Sequence, residues 1–174
     1  MATAQRREAH RTTTPSVASR LMGRPAWREA GKGLALLPAS VRRLGSGHGP
    51  AGAPRRGLAV RVGCGILLGL FAWTLALLAG QATVNGLLYP LVDAHDYQHS
   101  WGGPTLVGAW IVHALVAVPV VVAALGILRG LVAVDRVNGL AAYGSRRRWW
   151  PVPVSLVLAV LAVLLLNAWV HQVR

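Results

Sequence analysis

Acidic side chains are scarce in this chain: three aspartates and two glutamates among 174 residues, with no glutamate after Glu29. No pair of carboxylates falls in an apolar run, so a general acid–base dyad has no place to form there. The nucleophile pattern G-x-S-x-G is missing, and "GKG" at Gly31–Gly33 lacks the spacing of a phosphate-binding loop. We expect no enzymatic activity and no cofactor. Cysteine is reduced to Cys64, which excludes an intrachain disulfide and reads as a small packed or lipid-facing side chain.

Charge is missing in a patterned way. Val62–Gly80, Thr105–Leu128 and Pro151–Val170 carry no charged side chain. An apolar helix needs about 20 residues, at about 1.5 Å each, to cross a hydrocarbon layer of about 30 Å, and each run is long enough. None alternates polar and apolar faces as a water-soluble helix would. The sequence therefore predicts an all-α membrane protein whose domain, residues 57–174, holds three transmembrane helices at roughly 62–80, 105–128 and 151–170. No cleaved leader is expected, because the first apolar run lies far from the start.

What the chain has in excess is arginine. Of 18 basic residues, eleven lie well before the first run and Arg61 stands at its edge, five lie between the second and third, and none falls between Gln81 and Pro104. Cytoplasmic flanks collect Lys and Arg, so the N-terminus is expected in the cytoplasm, with the 81–104 loop and the C-terminus outside the cell membrane. A net charge of +13 is accounted for by an anionic inner leaflet, and no motif points to a nucleic-acid partner. Residues 1–56, rich in Arg, Gly, Pro, Ser and Ala, read as a mostly disordered basic tail. Within it Leu34, Leu37, Val41 and Leu44 keep near-helical spacing, interrupted by Pro38, as a short amphipathic piece would.

The polar residues near the apolar runs single out sites. Asp93 is expected to cap a short helix Ala94–Trp101, stopped by Gly102-Gly103-Pro104. In it His95 and His99 share a face at the spacing of two zinc ligands, with Asp96 just off that face and Asp93 at the cap. The pattern "HDYQH" lacks the zinc-protease glutamate and no cysteine assists, so a solvated turn is preferred to a metal site. Its imidazoles would respond to pH near neutrality. His113 lies about 12 Å inside the second span, where an ionisable group faces protein or water. It is a candidate for sensing, or for a packing hydrogen bond to Asn167 or Thr74.

Gly65 and Gly69 are predicted to seat the first span on the second, with Gly126 and Gly130 as further packing glycines and the third span peripheral. Arg146, Arg147, Arg148, Trp149 and Trp150 combine basic and aromatic anchors for anionic headgroups, while Tyr89, Tyr97 and Trp101 suit the outer interface. Past the second span, Gly130–Ala142 is predicted to continue as helix, with Asp135 and Arg136 facing water.

The stretch Gly86–Leu140, "GLLYPLVDAHDYQHSWGGPTLVGAWIVHALVAVPVVVAALGILRGLVAVDRVNGL", covers about a third of the chain. Its "YP" exit, "SWGGPTL-GAW" loop, long helix and "LRGL" make it resemble the membrane portion of sensor domains in actinobacterial proteins. Such domains carry two hairpins of spans, against one hairpin and a further span here. The resemblance implies a sensor-like or regulatory module that acts through a signalling partner, since no kinase follows. The alternative is an accessory subunit of a membrane transport complex.

Overall fold

The computed structural model describes residues 23–46, 55–92, 97–143 and 150–173, together with Ser16. Among these the architecture is all-helical: α1 (Arg24–Leu34), α2 (Leu36–Ser46), α3 (Arg55–Leu87), α4 (Leu106–Tyr143) and α5 (Pro151–Val173), with single turns at Tyr89–Val92 and Tyr97–His99. Three of the helices, α3, α4 and α5, are long and apolar enough to cross a membrane. The chain is a multi-pass membrane protein. At 33 and 38 residues, α3 and α4 are about 50 and 57 Å long and overreach a hydrocarbon layer by several turns. The expected continuation of the second span is thus present, as far as Tyr143.

The central helix is α3. Along it α4 runs antiparallel, as shown by Arg61 meeting Asp135 near one end and Gly86 meeting Ala117 near the other. Leu68, Phe71 and Ala72 of α3 pack with Leu125, Leu128 and Leu131 of α4 and Ala162 of α5. As expected, α5 is peripheral: it packs mainly on α3 and leaves Leu156, Val157, Val160, Val163 and Leu164 exposed. Those side chains suit acyl chains, not water.

The N-terminal segment departs from expectation. Residues 24–46 are helical, interrupted once, where a mostly disordered tail was predicted. Pro25 fits the first turn, where its missing N–H has no partner to lose. Ala35 keeps helical dihedrals (φ −74°, ψ −10°), and its N–H donates to the Gly31 carbonyl at 3.1 Å. Pro38 has no N–H to offer the Leu34 carbonyl and its ring crowds that oxygen, which separates α1 from α2 at this point. Ala26, Ala30, Gly33, Leu36 and Ser40 face inward, while Arg24, Arg28, Lys32 and Arg42 are exposed. The two helices cover α3 and α4, and this burial supplies the ordering energy that composition alone does not indicate. The rest of the predicted tail lies outside the described residues.

Candidate functional site

Polar side chains gather near both ends of the bundle. Near the loop end, Tyr89 is buried and its ring stacks on His113, with centroids 4.3 Å apart and planes inclined by 23°. The Tyr89 hydroxyl donates to Ser100 Oγ at 2.5 Å. His113 Nδ1 lies 2.8 Å from the Ala109 carbonyl. A carbonyl only accepts, so Nδ1 carries the proton, and a neutral ring keeps Nε2 as an acceptor. His113 lines a cleft of about 240 Å³ with Asn85, Gly86 and Trp101. Gly86 permits it: a Cβ there would lie 2.4 Å from Ala117 Cβ and 3.1 Å from the His113 carbonyl.

Several expectations at this end are corrected. His113 bonds within its own helix, because the carbonyl one turn back is in reach. Neither suggested partner serves it: Thr74 donates to Leu70 O and Asn167 is exposed. Tyr89 packs inside instead of anchoring at the interface. Over 97–101 the short helix is replaced by one turn of tight helix, Tyr97–His99, followed by turns, with His99 exposed. Gly102 takes φ +93° and abuts Gly108, an approach that side chains at either position would prevent. Asp93, His95 and Asp96 lie outside the described residues, and with them the proposed shared face. Thr105 caps α4 by accepting from the Gly108 N–H at 3.1 Å.

At the other end, Arg61 of α3 and Asp135 of α4 form a buried two-pronged ion pair, Nη1 to Oδ1 and Nη2 to Oδ2, the latter at 2.7 Å. Asp135 therefore does not face water; it turns toward α3 while Arg136 stays outside. A carboxylate buried among apolar helices needs a cation with matched donors, and Arg61 supplies the fork. Ser40 Oγ comes to the same place, filling the space over Gly65. Ser40 and Asn138 are 0% and 1% exposed. Ser40 Oγ, Arg43 Nη1 and Asn138 Nδ2 are buried without a hydrogen-bond partner among the described residues.

The packing glycines are reassigned. A Cβ on Gly69 would lie 2.6 Å from Leu37 N, and one on Gly65 would lie 2.2 Å from Ser40 Oγ. Both therefore seat α2, not the second span, because α2 comes closer to them than α4 does. Gly126 and Gly130 have nothing within 4 Å of a would-be Cβ among the described residues, so they face away from the bundle. Arg146, Arg147, Arg148 and Trp149 lie outside the described residues. Trp150 is exposed, and its carbonyl accepts from Val154 N at the start of α5.

Glu29 on α1 joins the N-terminal segment to α4. It accepts from Lys32 and from Arg136, the latter at 3.3 Å. The Lys32 hydrogen bond, opposed by desolvation and helped by the charges of Lys32, Arg136 and Arg129, holds its carboxyl below the usual range.

Sequence reading missed the Arg61–Asp135 pair: Arg61 stands at the edge of the first apolar run, but Asp135 lies seven residues past the second and beside Arg136, so only the opposite signs hinted at a pairing. Ser40 and Gly86 gave no comparable signal. Compared with protein-family models, curated proteins and solved structures, the chain matches none.

Proposed function

We propose that this protein is a non-enzymatic, sensor-like regulatory module of the cell membrane that acts through a protein partner. The basic end faces the cytoplasm in this reading, in keeping with the arginine bias, and the 81–104 loop faces outward. One observation carries it: α2 is seated on Gly65 and Gly69, yet three donors buried in the region remain unpartnered among the described residues. A seat complementary in shape but incomplete in hydrogen bonds suits a segment that exchanges between docked and released states. Release would expose α2 to a partner. His113, with His95, His99, Asp93 and Asp96 of the loop, forms the receiving end, in keeping with the resemblance of Gly86–Leu140 to sensor domains.

The test places a thiol at the seat, Ser40→Cys in a Cys64→Ser background. Maleimide labelling in membranes should be slow at neutral external pH. It should rise several-fold as that pH falls through the histidine range, and the rise should vanish when His95, His99 and His113 are all alanine. Labelling indifferent to both changes refutes the reading. Reporter fusions after Pro104 and after Arg148 check the orientation, since the first should be active only outside the cytoplasm.

The outward Gly126 and Gly130 favour a second reading, the accessory subunit of a transport complex, because small residues let a foreign helix approach closely. Purification from gently solubilised membranes separates the two: a co-purifying kinase or regulator supports the first, a permease the second.

A further inference from the structure

The geometry points to a binding site for one anionic phospholipid where α1 crosses α3 and α4, its phosphate on the basic face of α1 and one acyl chain in the groove beneath. This goes beyond the regulatory reading and does not depend on it. From Leu106 to Leu128, α4 carries no charged side chain over 23 residues, about 34 Å of helix, close to the thickness of a hydrocarbon layer. Arg129 is the first charge, so the headgroup plane on this side lies at Leu128/Arg129. α1 sits at that plane: a Cβ on Gly33 would lie 3.1 Å from the Leu128 carbonyl.

Two features then meet. Arg24, Arg28, Lys32 and Glu29 line one surface depression on α1, and Glu29 also feels Arg129 and Arg136. Five cations thus surround a single acid, and that acid is already engaged by Lys32 and Arg136. The complement is an anion at the headgroup plane, which a membrane supplies as lipid phosphate. On the flank of α1, Trp27, Gly31 and Leu34 form the lip of a groove of about 300 Å³. Its walls come from α3 around Gly80 and from α4 between Val121 and Leu128. Those α4 residues extend about 10 Å from the headgroup plane toward the middle of the layer. The groove is almost wholly apolar, and its surroundings are acyl chains, so an acyl chain is the fitting occupant. Trp27, half exposed at the lip, has the amphipathic ring that suits this boundary.

The test uses the full chain in vesicles containing brominated phosphatidylglycerol or brominated phosphatidylcholine at equal mole fraction. Subtracting the Trp27→Phe signal isolates Trp27 fluorescence. Quenching of Trp27 should give an association constant about tenfold higher for the anionic lipid. Arg24→Gln/Arg28→Gln/Lys32→Gln should bring the ratio close to unity. Gly31→Leu and Gly80→Leu should each block the groove and abolish the strong quenching while leaving the helical circular dichroism intact. A Cβ at either position meets nothing within 4 Å, so neither substitution crowds the fold. Equal quenching by the two lipids in the unaltered protein overturns the site, as does strong quenching that survives both leucines.

Discussion

Arg61 and Asp135, 74 residues apart in sequence, meet fork to carboxylate inside the bundle and tie α3 to α4 beyond the apolar part of both spans. Removing one partner strands a buried charge, which destabilises by about 3–5 kcal/mol, whereas replacing both with apolar residues of similar size is often neutral. Arg61→Met or Asp135→Leu alone should therefore lower the unfolding temperature in detergent markedly, and the double variant should recover most of the loss. Additive losses in the double variant would count against this account of the pair.

Gly69 holds α2 at backbone distance, and a leucine there has no room to yield. Overpacking of this kind typically destabilises by about 1–3 kcal/mol, and at Gly69 the strain should be relieved by expelling α2. Gly69→Leu should expose the Ser40→Cys thiol to maleimide without altering the helical spans. Gly126→Leu and Gly130→Leu, at positions facing open space, should leave labelling unchanged.

Gly86 sets the approach of α3 to α4 beside His113. Gly86→Leu should force the helices apart there and separate the Tyr89 and His113 rings. His113→Phe, by contrast, keeps a ring to stack on Tyr89 and should be more stable than His113→Ala by about 0.5–1.5 kcal/mol. Thermal unfolding of the three variants in one detergent checks both statements.

Glu29 makes the docking of α1 sensitive to acid. Its carboxyl has a lower pKa in the folded chain than in the unfolded one, so its contribution is complete above the ordinary glutamate value of about 4.3. That contribution disappears as pH falls through the lower, folded value. In the His95→Ala/His99→Ala/His113→Ala background, which removes the histidine response, Trp27 fluorescence, isolated by difference with Trp27→Phe, should be flat from neutrality down to about pH 5 and change below about pH 4. Glu29→Gln should remove that low-pH transition.

How much was legible follows from how local the causes are. The three spans were readable because charge-free runs of sufficient length leave a helix in lipid as the ready solution for their backbone polar groups. The peripheral place of α5 was readable from its continuous large side chains, which offer few close approaches. The seat of Gly65 and Gly69 was half readable: small residues announce a close neighbour but do not say which one. In this protein the neighbour is α2, whose Pro38 and interspersed arginines make it look like unstructured chain.

By itself, then, the sequence determined the number of spans, the distribution of basic charge and the continuation of the second span beyond the apolar layer. These depend on hydropathy and length, properties each segment carries without reference to the others. The tertiary structure alone decided that residues 24–46 order on α3 and α4, that Asp135 turns inward to Arg61, and that His113 stacks on Tyr89. Each of those outcomes depends on two distant segments meeting at a particular depth and rotation. Hydrophobic runs fix neither, because lipid rewards every apolar face alike.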